Sequence, residues 1–340
     1  MCPLPKVVQV QRPQGHVSVD CFAVVEQPMP VVSKDGEVLV RIEYASIDPY
    51  LRGRMNGIKT YSEPQGLNEV IRAGAVGEVI ESRNEAFPVG AKVVSMGGWQ
   101  QYYLSNGADL RVVDASSVPL SVYLGVVGMP GVTAWYGLNK IIKPKSGETV
   151  VVSAASGAVG AVVGQLAKLQ GCRVVGIAGG KEKCDYVVKE LGFDACVDYK
   201  SFHNKETEES DLAQAIRDAA PNGVDGYFEN VGGVVGNAVL RCMNVFGRIA
   251  VCGAIACYDG DAYSMHNPQL ILTQRLLVQG FIIYDHLNQW PAALAELGML
   301  VATKKMKFRE TVLPGLEHAA GGLVGILHGA NFGKLVIKVN

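Results

Sequence analysis

The sequence predicts an α/β protein of two parts, a β-rich unit and a doubly wound parallel sheet. Three observations carry that prediction. From about residue 148, apolar runs alternate with helical stretches and are joined by glycine-rich turns. Up to about residue 125 the runs are short, alternate polar and apolar, and are separated by turn residues. From residue 308 onward the earlier style returns, which suggests that the chain crosses back to complete its first unit. The expected division is 1–127 with 308–340 for the β-rich unit and 128–307 for the parallel sheet.

In the first part, residues 37–44 alternate polar and apolar after the turn Lys34-Asp35-Gly36, as a half-buried strand does. Residues 76–81 and 91–95 read the same way, each near glycine. In the second part the expected strands are 149–153, 173–178, 195–197, 225–229, 248–252 and 276–281. Helices are expected over 158–169, 182–191, 210–219, 234–243 and 268–274. Strands alternating with helices make a parallel sheet, because parallel neighbours need a long crossover. At the end, 308–313 and 334–339 read as strands and 316–327 as a helix.

With 340 residues, 49% hydrophobic and 19% charged, the chain can bury two cores and lacks the polar bias of disorder. A formal charge of −1 leaves no electrostatic footprint for nucleic acid or an anionic membrane. The longest Lys/Arg-rich stretch, 304–309, is interrupted and reads as a solvated helix end. No run of ~18 apolar residues is present, so no membrane span is expected. The N-terminus lacks the apolar core and cleavage site of a secretory signal. The eight cysteines (Cys2, Cys21, Cys172, Cys184, Cys196, Cys242, Cys252, Cys257) form no C-x-x-C pair. They read as reduced thiols, and a cytoplasmic setting is expected.

The central motif runs from Val150 to Gly164: an apolar strand, a small-residue turn and a helix. Gly157 and Gly160 let backbone approach a pyrophosphate, which then faces the positive end of the helix. Gly164 permits close packing of that helix. Ala155 stands where the first glycine of G-x-G-x-x-G is usual, so the motif rests on its strand–turn–helix context. The second strand ends Ala178-Gly179-Gly180-Lys181-Glu182-Lys183. Enzymes that use NAD carry an acid at that end, which binds the ribose hydroxyl and repels a phosphate. Small residues and two lysines favour NADPH instead. The alternative is that these lysines only solvate a helix start.

Several segments resemble the zinc-independent alkenal/prostaglandin/curcumin reductase branch of the medium-chain dehydrogenases/reductases, with the bacterial curcumin-reductase-like members most similar. They are 46–55, 128–134, 153–160, Glu229-Asn230-Val231-Gly232-Gly233, Cys252-Gly253-Ala254-Ile255 with Tyr258, and Asn331-Phe332-Gly333-Lys334. The resemblance covers essentially the whole chain in order. It implies a GroES-like β-rich domain, a Rossmann domain, a bound NADPH or NADP+, and a homodimer. It matches Gly157, Ala158, Val159 and Gly160 to the pyrophosphate turn, and Lys183 and Tyr199 to the 2′-phosphate. Asn230, the segment Cys252, Gly253, Ala254, Ile255 to Tyr258, then Phe281, Ile282, Ile283, and Asn331 match residues around the nicotinamide and its ribose.

Zinc-dependent relatives need a thiolate, an imidazole and a carboxylate around one metal. Here the loop for the first cysteine reads Ala45-Ser46-Ile47-Asp48, the expected His-Glu pair is replaced by residues 72–77, and the six histidines are isolated. No metal is expected. The chemistry implied is hydride addition to the β carbon of an α,β-unsaturated ketone or aldehyde, with a hydrogen-bond donor at the enolate oxygen. Phenols suit that role. Tyr258 is the first candidate, with Tyr61 and Tyr50 behind it; the alternative for each is a rim or packing residue. Trp99 and Gln100 either line the substrate pocket or, for Trp99, belong to the core. Two other functions stay open: an NADPH:quinone oxidoreductase, and an NADPH-binding protein without turnover.

Overall fold

The computed structural model describes residues 4–260, 262 and 264–339. The chain forms two compact units, one ending at Gly128 and resuming at Glu310, the other Met129–Arg309.

The first unit opens with an antiparallel pair, β1 (Leu4–Gln9) and β2 (Phe22–Gln27). Their residues show no consistent alternation, so periodicity does not predict β1 or β2. A larger, mostly antiparallel sheet follows from β3 (Val38–Ser46), β4 (Ala75–Ser82), β5 (Lys92–Ser95), β6 (Tyr102–Ser105) and β7 (Arg111–Val112), with the one-turn helix α1 (Leu51–Arg54) after β3. Strands β3 and β4 lie so close that a Cβ on Gly77 would fall 2.1 Å from the Arg41 carbonyl oxygen, which requires glycine there.

The second unit begins with α2 (Met129–Tyr136), extended by a π turn, Gly137–Ile142. Residues 130–136 are all buried, so this helix has no polar face to give it a period in the sequence, and none is expected there. Then come β8 (Thr149–Ser153), α3 (Gly160–Leu169), β9 (Arg173–Ala178), α4 (Lys181–Lys189), β10 (Ala195–Asp198), α5 (Glu208–Ala219), β11 (Val224–Glu229), α6 (Gly233–Leu240), β12 (Met243–Val251), α7 (Gln269–Thr273), β13 (Leu277–Gly280) and α8 (Trp290–Ala302). The six strands are all parallel, in the order β10-β9-β8-β11-β12-β13. This is the doubly wound sheet that the sequence predicts. Val150, Val151 and Val152 are fully buried, as in a strand covered on both faces.

One boundary is corrected. The helix expected over 234–243 stops at Leu240, and Met243 opens β12, where it pairs with Val224. The unpredicted α8 is hydrophobic over most of its length; Lys304 and Lys305 follow it exposed, as a solvated helix end should.

The chain then returns to the first unit. β14 (Glu310–Pro314) and β15 (Lys334–Lys338) run parallel, with α9 (Ala319–Leu327) between them, and β15 pairs antiparallel with β3. The core of this unit gathers Ile42, Ile47, Trp99, Leu323 and Ile337. Among the described residues no helix is long and apolar enough to cross a membrane.

Candidate active site

In the parallel sheet, β8 and β11 are neighbours, and the chain leaves them toward opposite faces. Gly176 on β9 faces α4, where Val187 lies against it. Val151 and Tyr227 pack instead with Leu212 of α5 and Val235 of α6. Crevices at such a reversal, beyond the carboxyl ends of the strands, are where open α/β sheets bind ligands. Polar residues tie this point together. Asn230 donates its backbone N–H to Ser153 Oγ at 2.8 Å and its side-chain amide to the Ser153 carbonyl at 2.8 Å. Glu229, 2% exposed, accepts the N–H groups of Val231 (2.7 Å) and Gly232 (2.9 Å) on Oε1, with the Ser153 hydroxyl 3.1 Å away. A buried carboxylate is tolerated here because hydrogen bonds replace its water.

The turn after β8 starts with Ala154 at φ +49°, a conformation costly for a residue with a Cβ. Gly157 donates its N–H to the Ala154 carbonyl at 2.9 Å, which closes the turn. A Cβ on Gly160 would lie 2.4 Å from that same oxygen and 3.0 Å from Ala155 Cα, both backbone. Gly160 therefore keeps the backbone bare where α3 begins, and Val159 at the N-cap makes no side-chain capping bond. Ala158 and Val159 complete the turn. Gly164 faces Phe193, whose ring would be 1.8 Å from a Cβ, so its absent side chain serves packing. This arrangement suits a pyrophosphate.

At the end of β9 side chains close over Gly179, while the space beside Gly180 is open. A Cβ on Gly179 would lie 2.9 Å from both Lys200 Cε and Tyr199 Cε1, so no acidic side chain fits there without moving them. Asp198 Oδ1 accepts the N–H groups of Gly180 (2.7 Å) and Lys200 (3.0 Å). Lys183 is half-buried on the first turn of α4; burial, and next the Lys200 ammonium, hold its pKa below the usual lysine value. Two lysines, Lys183 and Lys200, beside an uncapped helix start make an arrangement that suits a multiply charged anion. The sequence reading named Lys183 and Tyr199 but not Lys200, although it adjoins Tyr199.

Beyond β12, Cys252 and Gly253 donate their N–H groups to the Glu229 carbonyl, and Ile255 donates to that of Asn230. Burial and the Glu229 charge push the Cys252 thiol up to about 12, which keeps it neutral at pH 7. Tyr258 folds back over this loop: its hydroxyl oxygen accepts the Ala254 N–H at 3.3 Å, and a Cβ on Gly253 would lie 2.8 Å from it. Phe281 packs against Tyr136 (ring centroids 5.4 Å) and edge-on to Phe228, followed by half-buried Ile282 and buried Ile283.

The remaining predicted residues lie in the first unit. Tyr50 precedes α1 with the Arg54 guanidinium 4.8 Å from its ring centre, and Tyr61 is 58% exposed. Trp99 has no exposed surface and donates its indole N–H to the Ser46 carbonyl at 2.9 Å, so of its two readings the structure gives the core. Gln100 donates to the Gly97 carbonyl and accepts from Gln27. Asn331 donates to the Gly333 carbonyl and borders an open, mainly apolar groove of about 500 Å³ that Phe22, Leu316 and Ile326 also line.

The loop where zinc-dependent relatives place a cysteine ligand carries a different ion. Asp48 is paired with the Lys334 ammonium at 2.7 Å, and Lys334 also donates to the Ile47 carbonyl at 2.8 Å; both residues are buried. A resident cation leaves no carboxylate here for a metal, and among the described residues no three His, Cys, Asp or Glu side chains group as ligands. The donor set does not fit zinc. The seven described cysteines are free thiols; Cys2 lies outside the described residues.

Residues 6–113 match the family described as N-terminal domain of oxidoreductase, and 158–298 the family described as zinc-binding dehydrogenase. The NADPH-dependent curcumin reductase of Escherichia coli is 41% identical over 339 residues, 98% of this chain and 96% of that protein. The NADP(+)-dependent 2-alkenal reductase of Nicotiana tabacum is 41% identical over 315 residues, 92% and 90% of the two chains. CurA from Vibrio vulnificus, solved in complex with NADPH, aligns with a TM-score of 0.90 at 40% identity over 99% of both chains. The chain belongs to the zinc-independent medium-chain dehydrogenases/reductases, in the branch of the alkenal, prostaglandin and curcumin reductases.

Proposed function

We propose that the protein is an NADPH-dependent reductase of the carbon–carbon double bond in α,β-unsaturated ketones and aldehydes. The observation that carries this reading is that the carboxyl ends of the parallel strands bear a glycine turn with little side chain after β8 and the Tyr258 hydroxyl after β12, with Lys183 and Lys200 after β9 and β10. Kinship with reductases named for 2-alkenals, prostaglandins and curcumin supports the substrate class.

NADPH, when bound, supplies the hydride. The turn Gly157–Gly160 holds its pyrophosphate, and Lys183, Tyr199 and Lys200 hold its 2′-phosphate. Asn230, the loop 252–255 and residues 281–283 flank the nicotinamide end. Tyr258 donates its phenol proton in a hydrogen bond to the substrate's carbonyl oxygen as charge accumulates there. The Ala254 N–H already bound to the phenol oxygen strengthens that donation. An oxyanion donor of this kind is worth on the order of 10²–10³ in turnover. The proton for the α carbon comes from solvent.

NADPH consumption with 2-alkenals, simple enones, curcumin and quinones tests the reading. We expect oxidation with enals and enones, and a Tyr258→Phe variant with much lower turnover at unchanged KM for NADPH. Faster turnover of quinones than of every enone overturns it, and undiminished turnover in Tyr258→Phe removes that residue's role. Tyr50→Phe and Tyr61→Phe provide the comparison.

We also propose a cytoplasmic homodimer. β13 is an edge strand with Leu277 48% exposed, a surface that a second copy would cover, and free thiols suit a reducing compartment. Sedimentation as a monomer at micromolar concentration would contradict the dimer.

A further inference from the structure

Two of the free cysteines meet directly behind the lysine-lined turn. Cys184 follows Lys183 on α4, and Cys196 lies on β10, three residues before Tyr199. In the pairing of β10 with β9, Cys196 sits beside Gly176, and a Cβ at Gly176 would lie 2.9 Å from Val187 of α4. Paired residues in a parallel sheet point to the same face, so Cys196 also faces α4. Val187 is one helical turn beyond Cys184, which puts the two cysteines on facing surfaces. Cys184 Sγ lies 3.9 Å from the Ala178 carbonyl oxygen, and both thiols approach that oxygen.

The two thiols are unequal. Cys196 hydrogen-bonds to Cys184, and that bond holds the Cys184 thiol below its usual range while pushing Cys196 well above it, with burial adding to the rise. Cys184 is thus the better nucleophile and Cys196 the proton-bearing partner. Both are half-buried rather than enclosed.

We propose that Cys184 and Cys196 are a reversible redox pair, oxidised by hydroperoxides to an internal disulfide that weakens the adjoining phosphate site. The thiolate of Cys184 attacks a peroxide oxygen; an S–O bond forms, the O–O bond breaks, and the departing oxygen leaves as water or an alcohol after taking a proton. Cys196 then attacks the sulfenic sulfur; the S–S bond forms, the S–O bond breaks, and a second water leaves. Two thiols are oxidised and one peroxide is reduced. Closing the sulfurs to a bond of ~2 Å draws α4 toward β10, and Lys183 moves with its helix. The phosphate half of the proposal rests on the NADPH reading above.

The test treats the whole protein with one equivalent of hydrogen peroxide, maps thiols by non-reducing peptide mass, and titrates NADPH and NADH by fluorescence before and after dithiothreitol. We expect a linked Cys184–Cys196 peptide two hydrogens lighter, and a Kd for NADPH raised roughly tenfold, the scale of one weakened charge-assisted contact. The NADH Kd should be unchanged, dithiothreitol should reverse the effect, and Cys196→Ser should abolish the link. Oxidation at other cysteines with this pair unlinked overturns the redox pair. A link without change in NADPH Kd overturns the coupling. A reduced protein that binds no NADPH overturns the cofactor reading and the coupling, while the peptide mass decides the disulfide independently.

Discussion

Glu229 at the end of β11 meets Ser153 at the end of β8, 3.1 Å apart, across the point where the sheet's connections reverse. Through its bonds to Val231 and Gly232, Glu229 sets the loop that carries Asn230, which makes it a positioning residue for the crevice proposed to hold NADPH. Glu229→Ala leaves two N–H groups without their acceptor, each worth roughly 1–3 kcal/mol when buried. We expect a lowered Tm and a raised KM for NADPH. Glu229→Gln keeps an acceptor oxygen and should lose much less; equal losses would show that the charge, rather than the hydrogen bonds, matters.

The two turn glycines should differ. A Cβ at Gly160 collides with backbone at 2.4 Å, whereas one at Gly157 meets the Ala154 oxygen at 3.2 Å. Gly160→Ala should abolish NADPH binding or destabilise the fold, and Gly157→Ala should weaken binding modestly. Calorimetric titration with thermal melts checks this; a harmless Gly160→Ala would contradict the turn's role.

Lys183→Ala should cost NADPH about 1–3 kcal/mol of affinity and NADH almost nothing. Only the protonated amine grips phosphate. Because burial and then Lys200 lower the Lys183 pKa from 10.5, the preference for NADPH should fade as pH rises through that lowered value. Lys183→Arg, protonated throughout, should preserve the preference to higher pH. The ratio of Kd values against pH reads the effect, and identical profiles for Lys and Arg would contradict it.

The Lys334–Asp48 pair should matter for stability. Lys334→Ala strands a buried carboxylate, at a cost of about 3–5 kcal/mol, while Lys334→Ala combined with Asp48→Ala should recover much of it. Urea unfolding of the three variants measures this. No recovery in the double variant would show that Lys334 acts through the Ile47 carbonyl instead.

The parallel sheet was legible because apolar runs alternate with helical stretches, with glycine-rich turns after β8 and β9. The buried α2 was not, and neither was α8, which buries only Ala293, Leu297, Leu300 and Val301 but carries apolar residues such as Met299 on its exposed side as well; a helix apolar on most sides carries no phase. The roles of Gly157, Gly160 and Lys183 toward NADPH are those proposed above; the strand, turn and helix that carry these residues could be read from local sequence because they adjoin. Glu229 and Lys334 could not: their partners lie 76 and 286 residues away, Ser153 and Asp48, and only the fold brings them together. Trp99 was ambiguous for the same reason, as an indole beside glycines fits a rim or a core equally well.

Transfer of deuterium from NADPH labelled at nicotinamide C4 to a conjugated enone tests the central claim most directly. The account predicts label at the β carbon of the saturated ketone, with the carbonyl intact. Label at the carbonyl carbon of an allylic alcohol, or none in any product, would contradict it.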